Sequence, residues 1–145
     1  MTSRLRFAAY SAALVALGFV AGTLTNGALV QAQAANRVFE LRTYTAPEGK
    51  LGDLNKRFRD HTLRIFEKHG MTNIGYWQPQ DEPRSSNTLI YVLAHKSREA
   101  AAASWKAFGS DPEWKKVSSE SQVNGRIVEK VESVFMNATD YSPIR

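Results

Sequence analysis

An α+β fold, with one antiparallel four-stranded sheet and both helices on the same face, is the class this 145-residue sequence predicts. Two observations carry it. Runs 37–45, 72–78, 87–95 and 125–136 are rich in β-branched and aromatic residues, while the intervals 50–69 and 97–120 repeat apolar residues at three- and four-residue steps. The resulting order is strand, helix, strand, strand, helix, strand.

Residues 37–45 alternate Phe39, Leu41 and Thr43 with Glu40, Arg42 and Tyr44, the period of a strand with two different faces. Pro47 and Gly49 end it. From 50 to 69, Leu51, Leu54, Phe58, His61 and Ile65 form one helical stripe, closed by Gly70. Strands 72–78 and 87–95 are joined by a polar connection carrying Pro79, Pro83 and Ser85-Ser86, a hairpin with a long tip. Ser97 opens a second helix whose face carries Ala101, Trp105 and Phe108. Asp111-Pro112 restarts helix, with Asp as N-cap and Pro at the first position. Residues 125–136 supply the last strand.

This βαββαβ order is the split βαβ, or ferredoxin-like, arrangement. It leaves the sheet face opposite the helices bare. The third strand is apolar on both sides, Leu89, Tyr91 and Leu93 against Ile90, Val92 and Ala94, so that face calls for a partner. A second copy of the chain is the expected one. If Phe39 and Leu41 face the helices, then Glu40, Arg42 and Tyr44 point toward the sheet–sheet interface.

Glu40-Leu41-Arg42-Thr43-Tyr44 in the first half and Asp111-Pro112-Glu113-Trp114 in the second are the most distinctive strings in the chain. With them, the stretch from Val38 to Met136 resembles the NIPSNAP family, small proteins of the dimeric α/β-barrel superfamily. The resemblance covers all of the chain outside the leader. It implies that two copies pack face to face and close a barrel. It implies no particular reaction, because the superfamily holds monooxygenases, isomerases, cyclases, haem enzymes and proteins without established chemistry.

Composition narrows the classes further. With 43% hydrophobic and 23% charged residues the chain is globular, and its length allows one domain plus a leader. The absence of cysteine excludes disulfides, thiolate nucleophiles and Cys-ligated metals. Arg4 and Arg6 leave with the leader, so 17 of the 19 basic residues remain against 14 acidic ones. Arg57, Arg59, Arg64 and Lys68 alternate with Asp53, Asp60 and Glu67, the pattern of a solvated helix face, so nucleic acid is not an expected partner. No pair among His61, His69 and His95 has the one-turn spacing of a zinc ligand pair, and no metal or cofactor is expected. No phosphate loop or Ser-His-Asp order is recognisable.

Residues 1–35 read as a targeting segment. After Arg4 and Arg6, no charged residue occurs from Phe7 through Asn36, and Ala32-Gln33-Ala34 has the form of a cleavage site. A secretory signal and an uncleaved membrane anchor both fit; either exports the domain 36–145 to the periplasm or the extracellular space, and only the anchor would hold it at a membrane. Asn137-Ala138-Thr139 has the form of a glycosylation sequon, meaningful on a route through an endoplasmic reticulum.

Arg42, Tyr44, His61, Tyr76, Tyr91 and Trp105 are the candidate ligand-binding residues, with His61 and Tyr44 as candidates for catalysis. A buried arginine needs an anion, whether Glu40 or a ligand carboxylate. His61 interrupts the apolar stripe and is aimed at the sheet, as a hydrogen-bonded core residue or a general base. In cyclase-like members of the superfamily a histidine and a tyrosine line a pocket between helices and sheet. Aromatics at the spacing of Tyr76, Tyr91 and Trp105 serve equally as core, and Asp111 and Trp114 equally as a helix start and a buried indole. The expected role is binding or transforming a small, partly apolar organic molecule; the alternative is a non-enzymatic interaction or adaptor module.

A reporter enzyme active only outside the cytoplasm, fused after Arg145, should be active. Deleting residues 1–35 should abolish that activity, and a full-length fusion that stays silent in intact cells would exclude export.

Overall fold

Strand β1 (Val38–Thr45) lies inside the sheet, between β3 (Thr88–His95) and β4 (Lys130–Asn137), and β2 (Thr72–Trp77) forms the far edge beyond β3. The structure, a computed structural model, describes residues 37–145; the leader lies outside the described residues. The order β2-β3-β1-β4 is antiparallel at every step, as the split βαβ arrangement requires. Directly paired residues share a face. Arg42 therefore lies beside Tyr91 and Ser133, and Leu41 beside Val92 and Val134.

Helix α1 runs from 51 to 68 as Leu51–Arg57, one π turn at Phe58–Thr62, and Leu63–Lys68. Gly70 ends it at φ +75°, a backbone state other residues adopt at a penalty. Helix α2 (Arg98–Ser110) starts where the Ser97 hydroxyl accepts the Ala100 N–H at 3.1 Å. Helix α3 (Pro112–Glu120) follows Asp111, whose carboxylate accepts the Glu113 N–H at 2.7 Å, with proline at the first position as the sequence predicts. The same carboxylate receives Lys68 Nζ at 2.7 Å and His69 Nε2 at 2.6 Å. Hydrogen bonds from Lys68 and His69 hold its pKa far below the ordinary range, and they tie the end of α1 to the start of α3.

The core lies between the sheet and the helices. Leu54, Phe58, Ile65 and Phe66 of α1 meet Leu89, Tyr91 and Leu93 of β3, with Phe108, Val117 and Ile127 closing the edges. Trp105 and Trp114 pack against this cluster.

Three expectations require correction. The last strand begins at Lys130 rather than 125, because Gly125 turns the chain at φ +102° and Ile127 drops into the core before the Glu129 N–H reaches Thr45 O at 2.8 Å. The polar set Glu40, Arg42 and Tyr44 faces the helices, and Phe39 and Leu41 face away. That exchange is workable because the helix side supplies hydrogen-bond partners for the polar groups. His61 is exposed, not aimed at the sheet, and Thr62 is buried in its place. In the wide π turn each residue advances by less than the about 100° of an α-helix. His61 is thereby carried out of the stripe.

On the sheet face away from the helices, Phe39, Ile74, Trp77, Val92, Met136 and Ile144 line a shallow, largely apolar groove of ≈ 310 Å³. Trp77 is 53% exposed and lies back across Gly75, where a Cβ would fall 2.5 Å from the indole. Val134 on the same face is 55% exposed. Among the described residues no helix is long and apolar enough to cross a membrane.

Candidate functional site

Glu40 is 1% exposed, yet its carboxylate has four donors. Oε1 accepts from Arg42 Nη1 at 2.7 Å and from the Ser133 hydroxyl at 2.7 Å. Oε2 accepts from Trp105 Nε1 at 2.7 Å and pairs with His95 Nε2 at 3.0 Å. Burial by itself would raise this carboxyl's pKa, but the bonds from His95, Ser133, Trp105 and Arg42 outweigh it and take it from 4.5 to about 2. The Arg42–Glu40 pair foreseen from sequence is thus part of a larger network, inside the domain rather than at a sheet–sheet interface.

Beside this network stands an aromatic cluster. Tyr91 stacks on Tyr76 with ring centroids 5.4 Å apart and meets Tyr44 edge-on at 5.3 Å, and Phe58 packs against all three. The Arg42 guanidinium lies 4.1 Å from the centroid of the Trp105 ring. Arg42 Nε and the Tyr91 hydroxyl are buried without a hydrogen-bond partner among the described residues. Burial is the chief cause that lifts the Tyr91 hydroxyl well above its ordinary pKa, so it stays protonated and offers a donor.

On the other side of α1 a groove of ≈ 300 Å³ opens between α1 and the end of α3. Asp53, Lys56, Asp60 and His61 line it from α1, and Val117, Glu120, Ser121 and Asn124 from α3 and the turn after it. Arg57 lies at its floor, 5% exposed. Its guanidinium sits 5.1 Å from the Trp114 ring centroid, and among the described residues its Nη1 has only a long 3.5 Å contact to Ser121 Oγ and its Nε has no partner. Among the described residues no carboxylate is within ion-pair distance of it. Asp60 is taken by Lys56 at 2.7 Å and Asp53 by Lys50 at 3.3 Å. Burial holds the Arg57 pKa below the ordinary arginine value, with only Tyr44 and Tyr91 acting the other way.

Five of the six residues singled out in the sequence, Arg42, Tyr44, Tyr76, Tyr91 and Trp105, thus meet in one cluster between sheet and helices. His61 stands apart from them on the rim of the Arg57 groove. Sequence reasoning missed Glu40 as a hub, missed its donors His95 and Ser133, and assigned Arg57 to a solvated face. A signal for Arg57 existed: it stands three residues after Leu54 and directly before Phe58, at the edge of the apolar stripe.

Residues 39–143 match the sequence profile of the NIPSNAP family. Among solved structures, a NIPSNAP family protein of unknown function from Agrobacterium tumefaciens is 22% identical with a TM-score of 0.66, covering 77% of this chain and 96% of that one. A NIPSNAP domain protein from Burkholderia xenovorans is 24% identical at 0.62, covering 73% and 98%. SnoaB, a cofactor-independent oxygenase from Streptomyces nogalater, is 11% identical at 0.50, covering 75% and 99%, a likeness of fold alone. No curated protein matches the chain.

The Glu40 network makes stability depend on pH. The folded pKa of about 2 lies below the ordinary 4.5, so the contribution is complete above pH 4.5 and is lost as pH falls toward 2. Glu40→Gln should lower the unfolding free energy at pH 7 by about 3 to 5 kcal/mol, because it removes a buried charge that four donors are arranged to meet and leaves the partly buried Arg42 without its counter-charge. In urea denaturation the gap from wild type should narrow between those two pH values. A gap independent of pH would show that the carboxylate's charge is not what stabilises the fold.

Proposed function

The chain belongs to the NIPSNAP family, and from that premise we propose that its exported domain binds a small, partly apolar organic molecule in the groove above Arg57, and does so as a homodimer. Arg57 carries this reading. A guanidinium removed from water without an anion opposes folding, and a fold retains such a group where another function offsets the penalty. The groove's size is at the lower end of small-molecule sites. The π turn that follows Arg57 supports the same place, since such turns recur at functional sites. It also sets His61 on the groove's rim, where a titratable imidazole stands beside whatever is bound.

The free sheet face favours a second reading, in which association is itself the role. Trp77, Val134 and the groove around Val92 form an apolar surface of the kind monomers seldom leave in water. A second copy of the chain covers it in our proposal, because the same face on each partner satisfies a two-fold contact.

Arg57→Met keeps the side chain's length and removes its charge. It should melt at or above the wild-type temperature, and small organic fragments that raise the melting temperature of wild type should no longer do so. A strongly destabilised Arg57→Met that still responds to the same fragments would place the binding elsewhere. For the free face, light scattering of the full-length protein should give a dimer, and Val92→Asp combined with Val134→Asp should give a folded monomer. A monomeric wild type at tens of micromolar would end the homodimer proposal.

A further inference from the structure

We propose that the Arg57 groove is built for a monocarboxylate, seated with its carboxylate on the Arg57 guanidinium and its apolar body against Val117. This rests on the ligand-binding reading above and names the class of molecule. A guanidinium offers planar, paired N–H donors that match the two oxygens of a carboxylate. Here the guanidinium lies 5.1 Å from the Trp114 ring centroid, and its Nε donor is buried with no partner among the described residues. The backbone beneath is held as well, since the Thr62 hydroxyl donates to Arg57 O at 3.2 Å across the π turn.

The charges around the groove restrict the ligand to one negative charge. Each carboxylate of its lining has a lysine, Asp53 with Lys50, Asp60 with Lys56 and Glu120 with Lys116, which leaves the Arg57 guanidinium as the lining's one permanent cation without a counter-charge among the described residues. Val117, Glu120 and Ser121 come from the end of α3, where the helix presents carbonyl oxygens and the negative end of its dipole. One uncommitted cation offsets one charge. A phosphoryl dianion would bring a second charge with no permanent cation left to meet it, beside a helix C-terminus. A neutral molecule would leave Arg57 as uncompensated as before.

The test compares three probes of nearly one shape, benzoate, benzamide and phenyl phosphate, titrated into the full-length protein while the amide resonances of Val117, Ser121 and Asn124 are followed. Benzoate should shift them saturably, and benzamide and phenyl phosphate should bind at least about tenfold more weakly, the scale of one lost charge-assisted contact. Arg57→Met should abolish the benzoate response with the rest of the spectrum unchanged, and Arg57→Lys should keep it in weakened form. If benzamide or phenyl phosphate binds as tightly as benzoate, the carboxylate assignment falls and the ligand groove stands. If none of the three moves these resonances, both fall.

Discussion

A carboxylate sealed in the interior at Glu40 is the constraint from which the arrangement of the sheet and α2 follows. Removing a charge from water is tolerated only when hydrogen bonds replace the lost solvent. Here the replacements come from four places in the chain: Arg42 two residues along β1, His95 at the end of β3, Ser133 on β4 and Trp105 on α2. Three strands and a helix must therefore be in register before the charge is satisfied. The Trp105 indole, held by its N–H, becomes the surface on which the Arg42 guanidinium lies. This is why β1 turns its polar face inward and leaves Phe39 and Leu41 to the other side.

Arg42, partly buried, and Arg57, fully buried, differ in one respect that decides how each is understood. Arg42 has a carboxylate at 2.7 Å, and its pKa stands above the ordinary value although burial opposes its charge. Arg57 has no such partner among the described residues, and its pKa stands below that value. The first is explained by the fold. The second is not, and in our proposal a ligand supplies the counter-charge that the described residues do not.

The π turn links local geometry to this difference. One widened turn in α1 changes the angular phase of the helix between its halves, so that Leu54 before it, Phe58 at its first position, and Ile65 and Phe66 after it all reach the core. Arg57 is left buried at the start of the turn and His61 is carried to the groove's rim. A strictly α-helical path would have taken His61 toward the sheet.

The order of elements, both helix caps, the Gly70 stop and the two-sided apolar third strand were legible in the sequence, because each depends on neighbours a few residues away. Ser97 and Asp111 cap helices wherever the chain places them, and the unbroken apolar run along β3 calls for cover on both faces without any partner being known. The Arg42–Glu40 pair was legible for the same reason, as residues two apart on a strand share a face. Which face that was could not be read locally, since β1 carries apolar residues on one side and hydrogen-bonding ones on the other, and either can be buried if partners meet it. His95, Ser133 and Trp105, lying 55, 93 and 65 positions from Glu40, decide that choice. The fate of Arg57 and His61 belongs to tertiary structure too, because a change of helical phase over five residues leaves no mark in composition and is fixed only by what the two halves of α1 pack against.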